Sequence, residues 1–378
     1  MDVPHCLTRR DFVLTTAGVA SFLSLHERLA ASSVQETPSE GQVREIYRRA
    51  IVIDGLATPD TINVSWPSSG PLLSKAQLEN VAMSGLTAVN VTVSGGTFQS
   101  TVRNIGRWLG RIESHSSHLT LIREHSDLDR AKQDKKLGLI LGFQGATMLT
   151  DGLRDLLTFR QLGVRVIQLT YDGRNQFGDG CLEPRNGGLT KLGRELIAQM
   201  NELGVAVDLA HGGVQTTADA ITASSKPIIL SHTACNEVFR HPRNVDDREL
   251  RAMAARGGVV GLFLVPFVPV RPEDLLLRYI DHAVKVCGAD HVGIGSDLSI
   301  TPIEETPEYL QAFREAMAQW EKAGKGHKGG RHFIPAFNQP RRLETIALAM
   351  AKRGHSSAVI EKVIGGNFFR VFREVWSS

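Results

Sequence analysis

The sequence predicts an α/β fold, a TIM-like (β/α)8 barrel, and three observations lead to it. Eight short apolar runs recur along the chain, most of them continuous, as in parallel strands that are buried on both faces. Segments with helical periodicity separate the runs, and one of them, "LTKLGRELIAQMNELG", ends in a glycine typical of a helix C-terminus. The competing layout is an open doubly wound sheet. No glycine-rich phosphate motif follows a run, which disfavours that layout.

The eight runs set the expected domain boundaries. In chain order they are 50–54, 86–93, 137–143, 164–170, 204–210, 227–231, 258–265 and 291–296. We expect a single barrel domain over residues 47–378, with an insertion at about 301–338 after the last strand. The glycine- and lysine-rich end of that insertion predicts a loop, and a helix near the C-terminus closes the domain.

Residues 1–31 have the features of a twin-arginine export signal. Arg9 and Arg10 precede an apolar stretch of signal-peptide length, and small residues near Ala31 offer a cleavage site. The stretch is too short to span a bilayer, and the alternative is a chance arginine pair before a buried helix. Polar residues 32–46 predict a linker. The expected location is therefore the periplasm or the outside of the cell.

Composition excludes some classes of protein. The 378 residues carry a formal net charge of +3, are 42% hydrophobic and 22% charged, and show no basic run interleaved with aromatics. This balance argues against a nucleic-acid-binding protein and against an obligate membrane-surface protein. Cys181, Cys235 and Cys287 remain after the signal. They form no C-x-x-C pair, so a zinc ribbon is excluded, while an oxidising compartment permits one disulfide among them.

Polar side chains follow six of the eight predicted strands. In a parallel barrel the carboxyl ends of the strands share one face, and the chemistry takes place there. Taken singly, each of these residues has a structural interpretation, as a core histidine or a helix cap. Together they predict a functional site, formed by Asp54, Gln144, Tyr171, Asp172, His211, His232 and Asp297.

The residue types at that face indicate metal chemistry. His211 and His232 end consecutive strands, and neighbouring neutral imidazoles are good ligands for Zn²⁺. Asp208, three residues before His211, is expected to orient that ring. Asp297 is expected to bind metal or to act as a general base. Arg243 follows the sixth strand and is expected to bind a substrate carboxylate, the alternative being a surface salt bridge with a nearby acid.

Six ordered motifs give a family resemblance. They are "GVRVIQLTYDGRN", "GLTKLGRELIAQMNELGVAVDLAH", "PIILSHTAC", "HPRNVDDRELRAMAARGGVVGL", "HVGIGSD" and "IGGNFFRVF". Over residues 47–374 the chain resembles the membrane (renal) dipeptidase family. The resemblance implies a TIM-like barrel, a homodimer and a two-zinc site that hydrolyses dipeptides. It implies that His211 and His232 bind one zinc, that Asp297 binds the other and moves the proton, and that Arg243 holds the substrate.

The chain departs from the family pattern within the site. Leu56 and Thr58 stand where the family has a His-x-Asp pair, Gln144 where it has a bridging glutamate, and Tyr171 where it has a histidine. We therefore expect at most one tightly held zinc, on His211 and His232 with Gln144 and with Asp297 or water. The candidates for a further strong ligand are Asp54, Asp60, Asp172 and Asp179.

These residues predict a metallodipeptidase-like hydrolase that cleaves dipeptides or small amides with a free carboxylate. In this hypothesis Asp297 is the base, and Tyr171 donates a hydrogen bond to the oxyanion. Two alternatives stay open. One is a non-catalytic periplasmic protein that binds a small molecule, and the other is a metal-free tailoring enzyme with Tyr171, His211 and Asp297 as acid and base groups. The expected partner is a small-molecule substrate, with neither nucleic acid nor a membrane span after signal removal.

Overall fold

The structure, a computed structural model, describes residues 37–61, 72–151, 154–265, 274–322 and 333–377. The expected export signal, residues 1–31, lies outside these ranges, and so does most of the predicted loop, residues 323–332. Within the described ranges, the helices are all too short or too polar to cross a bilayer.

Parallel strands form a barrel. Strands β1 to β11 are Ile53–Asp54, Ala57–Thr58, Ala88–Thr92, Leu119–Leu121, Leu137–Phe143, Val164–Gln168, Ala206–Asp208, Ile229–Thr233, Val259–Leu262, Val292–Ile294 and Leu298–Ser299. Eight of them pair in the order β1-β3-β5-β6-β7-β8-β9-β10. The Gly55 N–H donates to the Ile294 carbonyl at 2.8 Å and joins the first strand to the last. Each predicted run overlaps one of these eight strands, so the predicted fold class is confirmed.

Helices surround the barrel. Helices α1 to α13 are Glu40–Arg49, Lys75–Ser84, Phe98–Ser114, Ser126–Gln133, Arg154–Gln161, Lys191–Glu202, Val214–Ala223, Asp247–Ala255, Leu275–Cys287, Pro307–Lys322, Arg342–Lys352, Ser357–Glu361 and Asn367–Trp376. Short 3-10 turns lie at Ala289–His291 and Pro335–Phe337, and a π-helical segment at Lys362–Gly366. Gly204 has a φ of 61° just after α6, as its role at the helix end requires.

One predicted boundary needs correction. Helix α1 begins at Glu40, inside the predicted linker 32–46. Ser39 forms a capping box with Gln42, and the apolar side of the helix is buried, so these polar residues start the domain rather than precede it. Helix α10 occupies residues 307–322 of the insertion expected at 301–338 and ends where its predicted loop begins.

Helix α13 closes the bottom of the barrel. The buried ring of Phe368 enters the interior, where three strands carry glycine. A Cβ at Gly55, Gly261 or Gly293 would lie 2.6, 3.1 or 2.6 Å from that ring, so only glycine leaves room for it. Inward residues of the lower layer, including Ile53 and Ile140, pack on the same helix. The opposite, carboxyl end of the strands stays free for the polar side chains.

Candidate metal centre

A local irregularity in β8 directs Ser231 and His232 into the site. Between Leu230 and Thr233 the pairing of β8 with β9 shifts by one residue, so Ser231 and His232 together oppose Gly261. A bulge of this kind redirects side chains that would otherwise alternate between the two faces. As a result the Ser231 hydroxyl oxygen lies 2.7 Å from Nδ1 of the adjacent His232.

The loop after β6 is bonded to the loop after β7, and this places His211. The Cys181 N–H donates to the His211 carbonyl at 2.8 Å, and Gly180 forms an antiparallel bridge with Gly212. These contacts bring Asp172 to His211, with 2.8 Å between Asp172 Oδ1 and His211 Nδ1. The carboxylate accepts the Nδ1 proton, so Asp172 fixes the orientation of the ring.

Asp208 supports His232 and not His211, which corrects the sequence-based expectation. Its Oδ2 accepts the Ser231 hydroxyl at 2.5 Å, and its Oδ1 accepts the Ser231 N–H at 2.9 Å. Because the Ser231 proton is donated to Asp208, the hydroxyl oxygen accepts from His232 Nδ1. The strands β7 and β8 thus provide a relay of two hydrogen bonds, from His232 through Ser231 to Asp208.

The Nε2 atoms of His211 and His232 face each other. Both Nδ1 atoms donate to acceptors, so each Nε2 atom is left without a proton, and the two lie 3.1 Å apart. Burial lowers the pKa of His232 well below its usual range, and the nearby charge of Arg243 lowers it further, so a shared proton is disfavoured. Two imidazoles on one tetrahedral Zn²⁺ place their nitrogens roughly 3.3 Å apart. The donor pair therefore fits a metal ion.

Gln144 is the third predicted ligand, and the structure places it at this pair. Its side-chain nitrogen lies 3.4 Å from His232 Nε2. The two ends of an amide are assigned from hydrogen bonding, and rotation of this group would present the oxygen instead. An amide oxygen is a ligand that divalent cations accept. Gln144 thus lies close to the histidine pair, and its role as a metal ligand stays a prediction.

Of the four acids considered as further ligands, the structure brings Asp172 to the histidines. The other three have structural partners. Asp54 accepts the N–H groups of Leu56 and Ser296 at 3.2 and 2.7 Å. Asp179 pairs with Arg174 at 2.6 Å. Asp60 pairs with Arg111 at 2.7 Å.

Cys181 was not predicted as a site residue, yet it lies beside the metal centre. Its Sγ is 3.8 Å from Asp172 Oδ1, and Asp172, Cys181 and His211 offer ligand atoms within 4.8 Å of one another. Burial raises the pKa of the thiol to about 11. Cys181, Cys235 and Cys287 are all free thiols, so the disulfide that the compartment would permit is not formed. The loop pairing that places Cys181 has no signal in the sequence.

Asp297 lies where β10 leads into β11 and carries a strained backbone. Its φ of 58° is unusual for a residue other than glycine, and its N–H donates to the Leu56 carbonyl at 2.8 Å. The carboxyl group lines a cavity together with Gln144. Burial raises the pKa of Asp297 to about 7, against the opposing effect of the Arg243 charge. Such a pKa suits a group that takes up and releases protons near neutrality.

Arg243 forms no salt bridge with the acids that follow it in sequence. Its guanidinium donates to the carbonyl of Ala210 and, at 3.2 Å, to that of His232. The residue is only 6% exposed and lies 5.9 Å from the centre of the Phe263 ring. Arg243 therefore holds together the two segments that carry the histidines. Its contact with a substrate carboxylate stays a prediction.

Tyr171 lies at the rim and is 45% exposed. Its ring stacks on that of His211 with 4.2 Å between centroids and 23° between planes. Desolvation of the packed phenol, together with the charges of Asp172 and Asp297, raises its pKa to about 12. The hydroxyl therefore stays protonated at neutral pH and is able to donate a hydrogen bond.

The rim above β1 to β3 has a different character. Leu56 and Thr58 line a cavity of about 300 Å³, together with Val91, Trp108 and Leu298. Asp60 also reaches this cavity but is paired with Arg111. The structure therefore places the histidine pair and Gln144 beside a mainly apolar space.

Comparison with known proteins agrees with this arrangement. Residues 79–322 match the family described as membrane dipeptidase, peptidase family M19. The dipeptidase tcpJ of Claviceps purpurea is 27% identical over 271 residues, covering 70% of this chain and 57% of its own length. The dipeptidase verJ of Clonostachys rogersoniana is 33% identical over 194 residues, covering 49% of each chain. The chain thus spans about half the length of these two relatives.

A solved structure extends the match to most of the molecule. The crystal structure of an amidohydrolase from Pseudomonas aeruginosa is 32% identical, with a TM-score of 0.76, and the match covers 89% of this chain and 99% of that one. The family match covers more than half of the sequence, and the barrel and its histidine pair agree with it. The chain therefore belongs to the membrane dipeptidase family, peptidase family M19.

Proposed function

We propose that the chain is a metal-dependent hydrolase that cleaves dipeptides or small amides with a free carboxylate. A single divalent metal ion, zinc, is held by His211 and His232, with Gln144 completing the donor set. The observation that carries this proposal is the 3.1 Å separation of the two Nε2 atoms, each left as an acceptor by a bonded Nδ1. Two lone pairs at this distance repel each other, and a cation between them relieves the repulsion.

The protein's own groups have distinct roles in the proposed reaction. When bound, the metal supplies Lewis acidity that lowers the pKa of water and polarises a carbonyl group. Asp297 accepts a proton from the attacking water. Its position on the wall of the cavity that Gln144 also lines favours this role. Tyr171 donates a hydrogen bond to the oxyanion, because its hydroxyl stays protonated and its ring stacks on that of His211. The Arg243 charge attracts a substrate carboxylate.

The relatives support the class of substrate. The two fungal proteins that match part of this chain are both named dipeptidases, and we extend that class to this chain. The proposal also includes export to the periplasm or the outside of the cell, on the twin-arginine pattern, and a homodimer, on the family resemblance. Cell fractionation and size-exclusion chromatography test these two points.

Metal analysis and a dipeptide panel test the proposed activity. Residues 32–378 should bind one zinc per chain and hydrolyse dipeptides when supplied with zinc, manganese or cobalt. Blocking the free carboxylate as an amide should lower kcat/KM. A protein that retains no metal and turns over no dipeptide would overturn the proposal.

The same measurements separate the two alternatives. A binding protein would bind dipeptides without turnover, with or without metal. A metal-free enzyme would turn over a substrate after treatment with a chelator, whereas the proposed hydrolase should lose activity and regain it when zinc returns.

A further inference from the structure

The cavity above β1 to β3 adjoins the histidine pair through Gln144. Gln144 and Asp297 line it, and the Gln144 side chain also lies 3.4 Å from His232 Nε2. A molecule whose reacting bond lies at the histidine pair would therefore extend into this space.

The walls of the cavity are suited to an apolar group. Leu56, Val91, Trp108 and Leu298 contribute to them, and each is at most 5% exposed. The neutral polar members of the lining are Gln144 and four hydroxyl residues, Thr58, Thr61, Thr92 and Ser94. Apolar walls of this kind favour a group without charge, since an unpaired charge would lose its hydration there.

The acid at one end of the cavity is already neutralised. Asp60 Oδ2 lies 2.7 Å from Arg111 Nη1, and both side chains are nearly fully buried. Gln77 donates to the other oxygen of Asp60 at 3.1 Å, and the Arg111 guanidinium lies 4.7 Å from the centre of the Trp108 ring. Asp60 is therefore engaged in the structure and is a poor partner for a cationic ligand.

The size of the cavity points to a bulky group. An apolar cavity of about 150 Å³ is large enough to hold benzene. At about 300 Å³, this cavity has room for an aromatic ring together with the atoms that join it to a peptide bond.

We propose that the cavity lined by Leu56, Val91, Trp108 and Leu298 binds a large apolar side chain, aromatic by preference, next to the bond that is cleaved. This inference rests on the proposed function and specifies its substrates: dipeptides or amides with a side chain such as that of Phe or Leu. The residues that stand in place of the family's His-x-Asp pair thus become part of substrate selection.

Matched dipeptides test the preference. We compare kcat/KM for Phe-Ala with that for Gly-Ala, and for Ala-Phe with that for Ala-Gly. In one of the two pairs the Phe substrate should exceed its partner by about tenfold or more, as apolar pockets discriminate by such factors. Leu56→Trp fills the cavity and should lower that ratio by about tenfold. The control is Leu157→Trp on α5, where the leucine is 52% exposed, and the ratio should stay unchanged.

A second variant and a binding measurement keep this test independent of folding and of turnover. Leu56→Ala enlarges the cavity and should favour naphthylalanine over Phe in the same position. Calorimetry on metal-free protein should show N-acetylphenylalanine binding about tenfold more tightly than N-acetylalanine, with the difference lost in Leu56→Trp. Thermal melts report whether each variant is folded.

The outcomes distinguish the two proposals. If dipeptides are cleaved with equal kcat/KM for both members of each pair, and calorimetry shows no preference, the cavity inference is overturned while the proposed function stands. If no dipeptide is cleaved but N-acetylphenylalanine binds and Leu56→Trp prevents it, the cavity inference stands and the proposed function fails.

Discussion

Two halves of one barrel rim differ in the chemistry that they offer. Above β7 and β8, polar side chains form connected pairs, from Asp172 to His211 and from His232 through Ser231 to Asp208. Above β1 to β3, Leu56 and Thr58 line a mainly apolar cavity. The same backbone architecture supports both halves, so residue type at the strand ends decides where metal binding is possible.

The difference extends to the use of charge. In the first half, the Asp172 carboxyl group accepts from His211, and that of Asp208 accepts from Ser231, whose hydroxyl lies against His232. In the second half, Asp60 pairs with Arg111 and supports the wall of a cavity. A buried acid thus has a positioning role at the histidines and a structural role beneath the cavity, and substitutions should separate the two.

His232→Ala should cause the largest effect, because it removes one of the two nitrogens that face each other at 3.1 Å. We expect zinc affinity to fall by more than about 100-fold, beyond the roughly 10–100-fold that supporting partners contribute, with loss of dipeptide hydrolysis. Zinc titration and metal analysis measure this. The matched control is His282→Ala, since His282 also pairs with an acid, Asp247, but lies outside the site. Retention of tight zinc by His232→Ala would contradict the centre described here.

Replacing Leu56 with His, Thr58 with Asp and Gln144 with Glu should create a metal site above β1 to β3 as well. The triple variant restores the residues that the family resemblance implies, and it places three strong ligands around the cavity. We expect metal content to rise from one to two ions per chain, measured by elemental analysis after dialysis. A single ion in a folded triple variant would show that the backbone above β1 no longer suits metal binding.

Ser231→Ala should weaken metal binding by roughly 10–100-fold while leaving both histidines in place. The substitution removes the hydroxyl that accepts from His232 Nδ1. The proton can then move to Nε2, where it would compete with the metal. Asp172→Asn tests the equivalent support of His211 and should have an effect of similar size. Zinc competition with a chromophoric chelator measures both. Unchanged affinity in both variants would show that the hydrogen-bonded partners do not tune the centre.

Arg111→Met should change stability rather than metal affinity. It leaves Asp60 buried without its cation, which costs about 3–5 kcal/mol in comparable pairs. The free energy of unfolding in urea measures the loss. In the double variant Arg111→Met, Asp60→Leu, most of that stability should return, because no unpaired charge remains. Zinc affinity should match that of the unsubstituted protein in both variants. A large fall in zinc affinity would show that the Asp60–Arg111 pair also supports the histidine pair.

The sequence predicts the barrel and the two histidines because both follow from local pattern. Continuous apolar runs identify the strands, and residues at their carboxyl ends share a face whatever the register. The supporting partners depend on register and loops instead. Asp208 pairs with Ile229 across β7 and β8, which puts it near Ser231, two residues further along. A bulge then turns His232 toward the same point. Neither feature has a signal in a single sequence, so Asp208 was assigned to the wrong histidine.

The loop contacts were beyond prediction for a similar reason. Asp172 and Cys181 reach His211 because backbone groups of two loops bond to each other, and no residue pattern encodes that pairing. Arg243 donates to two backbone carbonyls, which its spacing did not predict, while its contact with a substrate carboxylate stays a prediction. Long side chains near a site have many partners within reach, and spacing alone does not choose among them.

The position of Phe368 in the barrel interior has a consequence for the order in which the chain folds. Its ring fills the space left by Gly55, Gly261 and Gly293, and the carbonyl of Ser231 lies next to Gly55 and Gly261. During synthesis at about 5–20 residues per second, the strands emerge before this plug does. We therefore expect the two histidines to reach their final geometry only after α13 has docked, when the C-terminal part of the chain has been made.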